Sequence, residues 1–524
     1  MDIIEKEKKK RTILYGLLVT VLVLIGVTYA YYRITKTQTN SNVIGTRTCL
    51  NTTLTEETSE IVLSDAFPIS DEDGLKQSPF TFTLTNNCDS YVKVTIALVS
   101  EYRTSTNTAY LKDNYVKSNL STKGTNDGSS VILSTLSLGE VDTNTEGYVL
   151  KTTGLKNKEA KSFDLRLWLD SETTNEQGLN KTWKGKIVVS VVAAEYVPTL
   201  SEAILANNEV KTPITTPGAA ISTADEALLA SAEDNNGTSY YFRGAVKNNY
   251  VEFANKCWRI VRVGGDGSVK LILHNDNTTK VANPCDAANN SASAAFARYS
   301  GETYKSAFNT NYNDNAYVGF KYGTVGAGDY ALTHANTNKS TILTNLEAWY
   351  NDNLSTYEKV IDDTVWCNDK TNVTDTSYDP WSITPNGLGY AKNVTYYGAT
   401  KRLVGTSGSA GGTGPSLKCN GELSKINSKV GLITADELAF AGYAYNIGNT
   451  ATYLQENATD TYWWSLSPNY FSGVDAYVWY VYGSLGGFDY IVRGTYGVRP
   501  SISLKSTTNV TGEGTSSTPY IISM

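Results

Sequence analysis

The stretch Tyr462-Trp463-Trp464-Ser465-Leu466-Ser467-Pro468-Asn469-Tyr470-Phe471 runs on through Asp475-Ala476-Tyr477-Val478-Trp479-Tyr480-Val481-Tyr482. It closes with Tyr496-Gly497-Val498-Arg499-Pro500-Ser501-Ile502-Ser503-Leu504. Aromatic and β-branched residues at this density predict short strands and turns. Ala476, Val478 and Val481 are expected to face a core. Tyr477, Tyr480 and Tyr482 then turn partly outward, with a bulge where the alternation slips. Residues 469–495 contain no Lys, Glu, Gln, Met, Cys or His, and Tyr, Asp, Ser and Gly dominate. That is the composition of a binding surface, where Tyr gives contact area at low entropy cost and Ser and Gly give adaptability. A sheet edge with tyrosines as amphipathic cover accounts for the same composition, so both readings stand at this point.

Working outward, residues 239–524 read as one mixed α+β domain. Trp258-Arg259-Ile260-Val261-Arg262-Val263 and Ser268-Val269-Lys270-Leu271-Ile272-Leu273 flank Gly264-Gly265-Asp266-Gly267, a hairpin signal. Ser340 is expected to cap a helix carrying Ile342, Leu343, Leu346 and Trp349 on one face, Ser355 with Glu358 a second, and Thr434 with Glu437 a third. Residues 40–197 alternate apolar and polar, as in Phe80-Thr81-Phe82-Thr83-Leu84-Thr85, with turn clusters between the runs. They predict an antiparallel β-sandwich. Between the two, residues 198–238 read as a linker: Thr212-Pro213-Ile214-Thr215-Thr216-Pro217-Gly218 is hostile to helix. A short helix is expected after it, capped by Thr223 and Glu226 ahead of Ala227-Leu228-Leu229.

The N-terminus sets the compartment. Residues 1–12 form a basic stub with Lys6, Lys8, Lys9, Lys10 and Arg11, and residues 13–32 follow without a charge. About twenty apolar residues suffice to cross a bilayer as a helix. The positive-inside rule then leaves everything after Arg33 outside. A cleaved signal peptide is the competing reading, with Thr28 and Ala30 as small residues of a cleavage site. The expected location is the cell membrane, single-pass with the C-terminal ectodomain extracellular, or release by signal peptidase. Six cysteines fit an exported chain. They fall into sequence-local pairs, which predicts Cys49–Cys88, Cys257–Cys285 and Cys367–Cys419, although six cysteines permit other pairings.

Composition excludes several chemistries. The chain of 524 residues has 45 Lys+Arg against 52 Asp+Glu, a formal charge of -7, so it lacks the basic excess of a nucleic-acid binder. Two histidines leave little for His-based catalysis, and His274 and His334 read as surface residues. Gly405 to Gly414 lacks the Lys-Ser/Thr ending of a phosphate loop and reads as a flexible insertion. Ser70-Asp71-Glu72-Asp73-Gly74 lacks the full calcium-loop spacing and reads as a solvated turn. No cofactor, no metal and no enzymatic activity are expected.

Trp463-Trp464-Ser465-Leu466-Ser467-Pro468 closing on Gly497-Val498-Arg499-Pro500 resembles the C-terminal signature of C-type-lectin-like domains. That fold is shared by formylglycine-generating-enzyme-type domains and by the variable proteins of diversity-generating retroelements. Cys257-Trp258-Arg259-Ile260-Val261-Arg262 and Gly431-Leu432-Ile433-Thr434-Ala435-Asp436-Glu437 are similar to further motifs of exported bacterial proteins. The resemblance implies that residues 239–524 present a sequence-diverse ligand face between the two brackets. Retroelement diversification acts at Asn-type codons and yields Tyr, Asp, Ser, Gly, Phe, Ile, Val or Arg. Residues 469–495 fit that set, with Trp479 as a fixed scaffold position. Formylglycine-generating enzymes use reactive cysteines in a C-terminal site. The last cysteine of this chain is Cys419, well before the motif, which argues against that chemistry. The N-terminal half is loosely similar to camelysin and biofilm-fibre matrix proteins through Gly26-Val27-Thr28-Tyr29-Ala30-Tyr31 and the strands around Phe80 to Leu98.

The expected architecture is a multidomain one: a transmembrane helix, an all-β antiparallel sandwich, then an α+β C-type-lectin-like domain. The expected function is that of a membrane-anchored bacterial surface protein whose head binds an extracellular protein or glycan ligand. Contact area is assigned to Tyr470, Phe471, Tyr477, Trp479, Tyr480, Tyr482, Phe488 and Tyr490, and polar orientation to Asp475, Asp489 and Arg493. A structural matrix or fibre component of the envelope is the alternative, and a formylglycine-generating-type enzyme ranks third.

Overall fold

Alternating side chains with one apolar face make strands, and a computed structural model shows where they pair. It describes residues 34–37, 50–58, 66–142, 145–219, 221, 226–299, 302–448, 451–481 and 487–523. The expected membrane-spanning stretch 13–32, together with Cys49 and Tyr482, lies outside the described residues. Among the described residues no helix is long and apolar enough to cross a membrane. The chain divides into two units, Met1–Tyr196 and Val197–Met524.

Among the described residues the first unit has ten strands: β1 (Ile34–Thr37), β2 (Thr52–Glu56), β3 (Phe80–Asn86), β4 (Val92–Ser100), β5 (Val116–Thr122), β6 (Val131–Ile132), β7 (Leu138–Asp142), β8 (Thr145–Leu155), β9 (Ala160–Leu169) and β10 (Gly185–Ala193). They form two antiparallel sheets, β1-β10-β4-β8-β7 and β2-β3-β9-β5-β6. Phe82, Leu84, Phe163 and Leu165 from one sheet meet Val94, Ile96, Ile187 and Val189 from the other in a single core, as a β-sandwich requires. The Asp113 carboxylate accepts from the Ser100 hydroxyl, the Tyr148 hydroxyl and the Trp183 indole N–H at 2.7, 2.8 and 2.7 Å. Cys88 is disulfide-bonded. The acidic stretch at Asp71–Gly74 is one short helical turn capped by Ser70.

The second unit is a mixed α+β body. Its principal helices are α1 (Leu200–Asn207), α2 (Thr341–Asn353), α3 (Gly398–Leu403) and α4 (Ala435–Ala441). Its principal strands are β11 (Ala227–Asp234), β12 (Gly237–Gly244), β13 (Tyr250–Phe253), β14 (Lys256–Val263), β15 (Val269–Asn275), β16 (Thr395–Tyr396), β17 (Trp463–Phe471), β18 (Ala476–Val481), β19 (Gly487–Ile491), β20 (Ser501–Leu504) and β21 (Tyr520–Ile522). The Gly264-to-Gly267 hairpin joins β14 to β15, and β20 adds to β15. A second sheet carries β16, β17, β18 and β19 as neighbours. Trp258, Leu271, Leu346, Trp464, Val478 and Ile502 lie in one large core between these elements.

Several expectations change. The expected linker begins inside the second unit's fold: Leu200, Ala203 and Ile204 of α1 are buried in its core. Residues 227–234 form strand β11, not a helix. Glu226 does not act as a helix cap there. Its carboxylate accepts from the Ile214 and Thr215 backbone N–H groups and pairs with Arg243 at 2.8 Å. Ser355–Tyr357 is a single 3-10 turn without a side-chain cap. The other two helix starts hold: Ser340 Oγ accepts from Leu343 N, and Thr434 with Glu437 makes a full capping box. Both histidines are core residues rather than surface ones. His274 and His334 are each 0 % exposed, and burial pushes both below the ordinary histidine range, His334 to about 3. Gly405 to Gly414 is held by its own backbone, Gly405 N to Ser409 O and Gly411 N to Leu403 O.

Candidate ligand-binding site

Register assigns the tyrosines of β17, β18 and β19 to opposite faces. Residues directly across an antiparallel pair share a face, and the faces alternate along each strand. Tyr470 pairs with Tyr477, and Trp479 pairs with Asp489, so these four share one face. Val478 with Tyr490 and Tyr480 with Phe488 take the other. The expected bulge lies in β17, where register slips on both sides of Pro468. Proline has no N–H for the ladder, and Ser467 Oγ instead accepts from Ala435 N at the start of α4.

The first face carries an aromatic cluster. Tyr470 and Tyr477 stack with ring centroids 4.3 Å apart and planes 6° from parallel. Trp381 approaches Tyr470 at 5.0 Å and Tyr445 at 5.8 Å. Tyr445 in turn meets Trp479 edge-on at 5.6 Å and Phe488 at 6.1 Å. Trp479 is buried against Ala399, Leu403, Ala435 and Ala439, so α3 and α4 cover this end of the face. Trp381, Tyr445, Tyr470, Tyr477 and Asp489 are all half-buried, so the other end is open. Burial pushes the Asp489 carboxyl up to about 6. Among the described residues no basic side chain forms an ion pair with it. Burial also raises the hydroxyls of Tyr445, Tyr470 and Tyr477, and the Asp489 charge adds to each.

The second face is mostly interior. Tyr480 is 5 % exposed and packs with Trp464, Tyr462, Tyr490 and Tyr496 at 5.4 to 6.1 Å. Of this group Tyr490 reaches solvent. Phe471, Trp479 and Tyr480 are therefore core residues, not exposed contacts, because their strand positions point them under the helices or into the main core. Arg493 is exposed and lies over the Tyr312 ring at 4.1 Å, and Asp475 is half-buried at the turn between β17 and β18.

Trp381 and Tyr445 come from loops that composition alone does not single out. The Asp379 carboxylate shapes the first loop by accepting from Ile383 N, Thr384 N and the Tyr396 hydroxyl. Gly442, at φ 115°, ends α4 in the left-handed region and turns the chain toward Tyr445. A paired Thr-Glu cap followed by glycine marks that helix in the sequence, but nothing local marks what lies beyond it.

The bracketing motifs are supports. Arg499 is fully buried, donating to Leu273 O at 2.8 Å and Leu454 O at 2.6 Å beneath the Trp463 ring. Trp464 donates its indole N–H to Ser306 O. Asp436 takes Arg402 at two oxygens, both 2.7 Å, while Arg402 also reaches Asp369. Glu437 takes Lys270 at 2.6 Å and Arg262 at 3.0 Å. Burial alone would raise the Glu437 carboxyl, but the two cations override it and hold it down at about 2. This network lines a polar cavity of about 340 Å³ that also reaches Cys367 and Cys419. Cys257–Cys285 and Cys367–Cys419 are bonded as expected from their spacing. Among the described residues no group of His, Cys, Asp and Glu side chains is placed to hold a metal ion.

Compared with known proteins, the chain matches no family model, no curated protein and no solved structure.

Proposed function

We propose that the chain is a bacterial surface protein, anchored through residues 13–32, whose second unit is a C-type-lectin-like head that binds an extracellular protein or glycan. The observation that supports this reading most directly is the open aromatic face. Trp381, Tyr445, Tyr470 and Tyr477 come from three separate segments, remain half-buried, and adjoin a carboxylate that no basic side chain among the described residues pairs with. Aromatic side chains exposed together on a rigid sheet are suited to recognition, since large rigid rings gain contact area at little entropy cost. The contact set is accordingly Trp381, Tyr445, Tyr470, Tyr477, Asp475, Asp489, Tyr490 and Arg493. Buried and paired charges behind the face hold it in shape, and no catalytic role is assigned to them.

The test is binding of the purified full chain, in detergent, to arrays of extracellular proteins and glycans. A hit should be lost in a Tyr445→Ala, Tyr477→Ala double variant whose thermal unfolding matches the wild type. Unchanged binding by that folded variant shows that the face is wrongly assigned.

A further inference from the structure

Asp489 sits on an open face, and among the described residues no basic side chain pairs with it. The groups around it are chemically uniform: Tyr477 on the adjacent strand, Trp479 directly across, and Tyr445 and Tyr470 joined to them by ring contacts. The charged neighbours are few. Asp475 acts on Tyr477 from the β17–β18 turn and is also acidic. Arg493 acts on Tyr477 as well, yet its guanidinium lies over Tyr312 at 4.1 Å. A carboxylate set beside aromatic rings presents two attractions for one kind of group: Coulomb attraction and hydrogen bonding from the carboxylate, and cation–π attraction from the rings. A neutral sugar can donate its hydroxyls to that carboxylate but leaves the charge unbalanced, and an acidic peptide is repelled.

We infer that Tyr445, Tyr470, Tyr477 and Asp489 form a receptor for an alkylammonium group, supplied by a lysine side chain of a protein partner. The lysine stem is apolar and lies well along ring faces while its head meets the carboxylate. The inference rests on the proposed binding face and names what that face selects.

The probe is Nα-acetyl-lysine N-methylamide, with the norleucine analogue as the uncharged control. Both are titrated into the purified full chain and followed by ligand-observed saturation-transfer NMR. The lysine compound should bind about tenfold more tightly than the norleucine compound, as expected for one charge-assisted hydrogen bond in a half-buried site. Asp489→Asn should abolish that preference and Asp489→Glu should restore part of it. Raising NaCl from about 0.05 to about 0.5 M should weaken binding of the lysine compound alone, a readout in the wild type that does not depend on any variant folding. Equal binding of the two compounds, no binding of either, or an unchanged preference in folded Asp489→Asn overturns the inference. If these results appear while the full chain still binds array partners through its tyrosines, the alkylammonium assignment falls and the face stands. If the tyrosine variants bind like wild type, the face itself falls.

Discussion

Replacing Glu437 by alanine removes the centre of the charge network behind the aromatic face. Glu437 is 4 % exposed, and its partners Lys270 Nζ, Arg262 Nε and Thr434 N lie at 2.6, 3.0 and 2.9 Å. Two routes give the magnitude. Removing one member of a buried ion pair strands the other and costs about 3–5 kcal/mol. Independently, a carboxyl held at about 2 against a reference of 4.5 carries about 3 kcal/mol of stabilisation at neutral pH. The folded-state value is depressed, so this stabilisation is present above the unfolded glutamate range and disappears as pH falls through about 2. Lys270→Met should cost clearly less. Glu437 then keeps Arg262 and the Thr434 N–H, whereas in Glu437→Ala the Lys270 ammonium keeps the Trp366 ring at 4.8 Å but no carboxylate. For the second unit, Val197–Met524, about 3 kcal/mol lowers the melting temperature by about 4 °C. Differential scanning calorimetry at pH 7 reads it directly. A drop under about 2 °C for Glu437→Ala, or equal drops for the two variants, would refute the account of the network.

Asp489→Asn should raise the melting temperature near pH 7.5. The wild-type carboxyl is raised to about 6 by burial, so its stabilising protonated form is lost as pH rises through that value, and the two proteins should converge below about pH 4. A melting series across pH 3.5–8, values chosen to span about two units either side of the shifted carboxyl, checks this. Replacing Cys367 and Cys419 with serine opens a bridge spanning 52 residues and should cost about 4 kcal/mol by the loop-entropy scale, read as a shifted denaturant midpoint. Arg499→Lys should cost about 2 kcal/mol. A single ammonium replaces the guanidinium that now serves both the Leu273 and Leu454 carbonyls, so an unaltered midpoint would contradict that bracing role.

The strand content was legible because its signal is local. The alternation in Phe80-Thr81-Phe82 and the hairpin at Gly264 to Gly267 each put apolar residues on one face, and both form as read. Helix starts were legible where the cap was complete, as at Ser340 and Thr434. Thr223 and Glu226 carry the same letters, but Glu226 is claimed by Arg243, whose guanidinium also donates to the carbonyls of Ala439 and Phe440 almost two hundred positions away. No window centred on Glu226 contains that partner. The histidines misread for the same reason. His274 is polar in sequence yet sits at 0 % exposure, where Asn457 bonds its ring and its backbone carbonyl.

The tyrosine-rich segment joins what sequence can and cannot give. Its composition singles out the segment, while the face each tyrosine takes depends on register and on the bulge at Pro468. That division also constrains any diversification of residues 469–495. Substituting Phe471, Trp479 or Tyr480 would open cavities in cores that include the packing of α3 and α4, at several kcal/mol each. Tyr470, Tyr477, Asp489, Tyr490 and Arg493 are at least partly in solvent, and changes there alter contacts without emptying a core. Diversified copies of this region should therefore vary at the second group and keep the first. Sequencing the segment across a population of cells carrying the gene is the measurement, and frequent substitution at Phe471 or Tyr480 in soluble, folded protein would show that the two faces are not separable in this way.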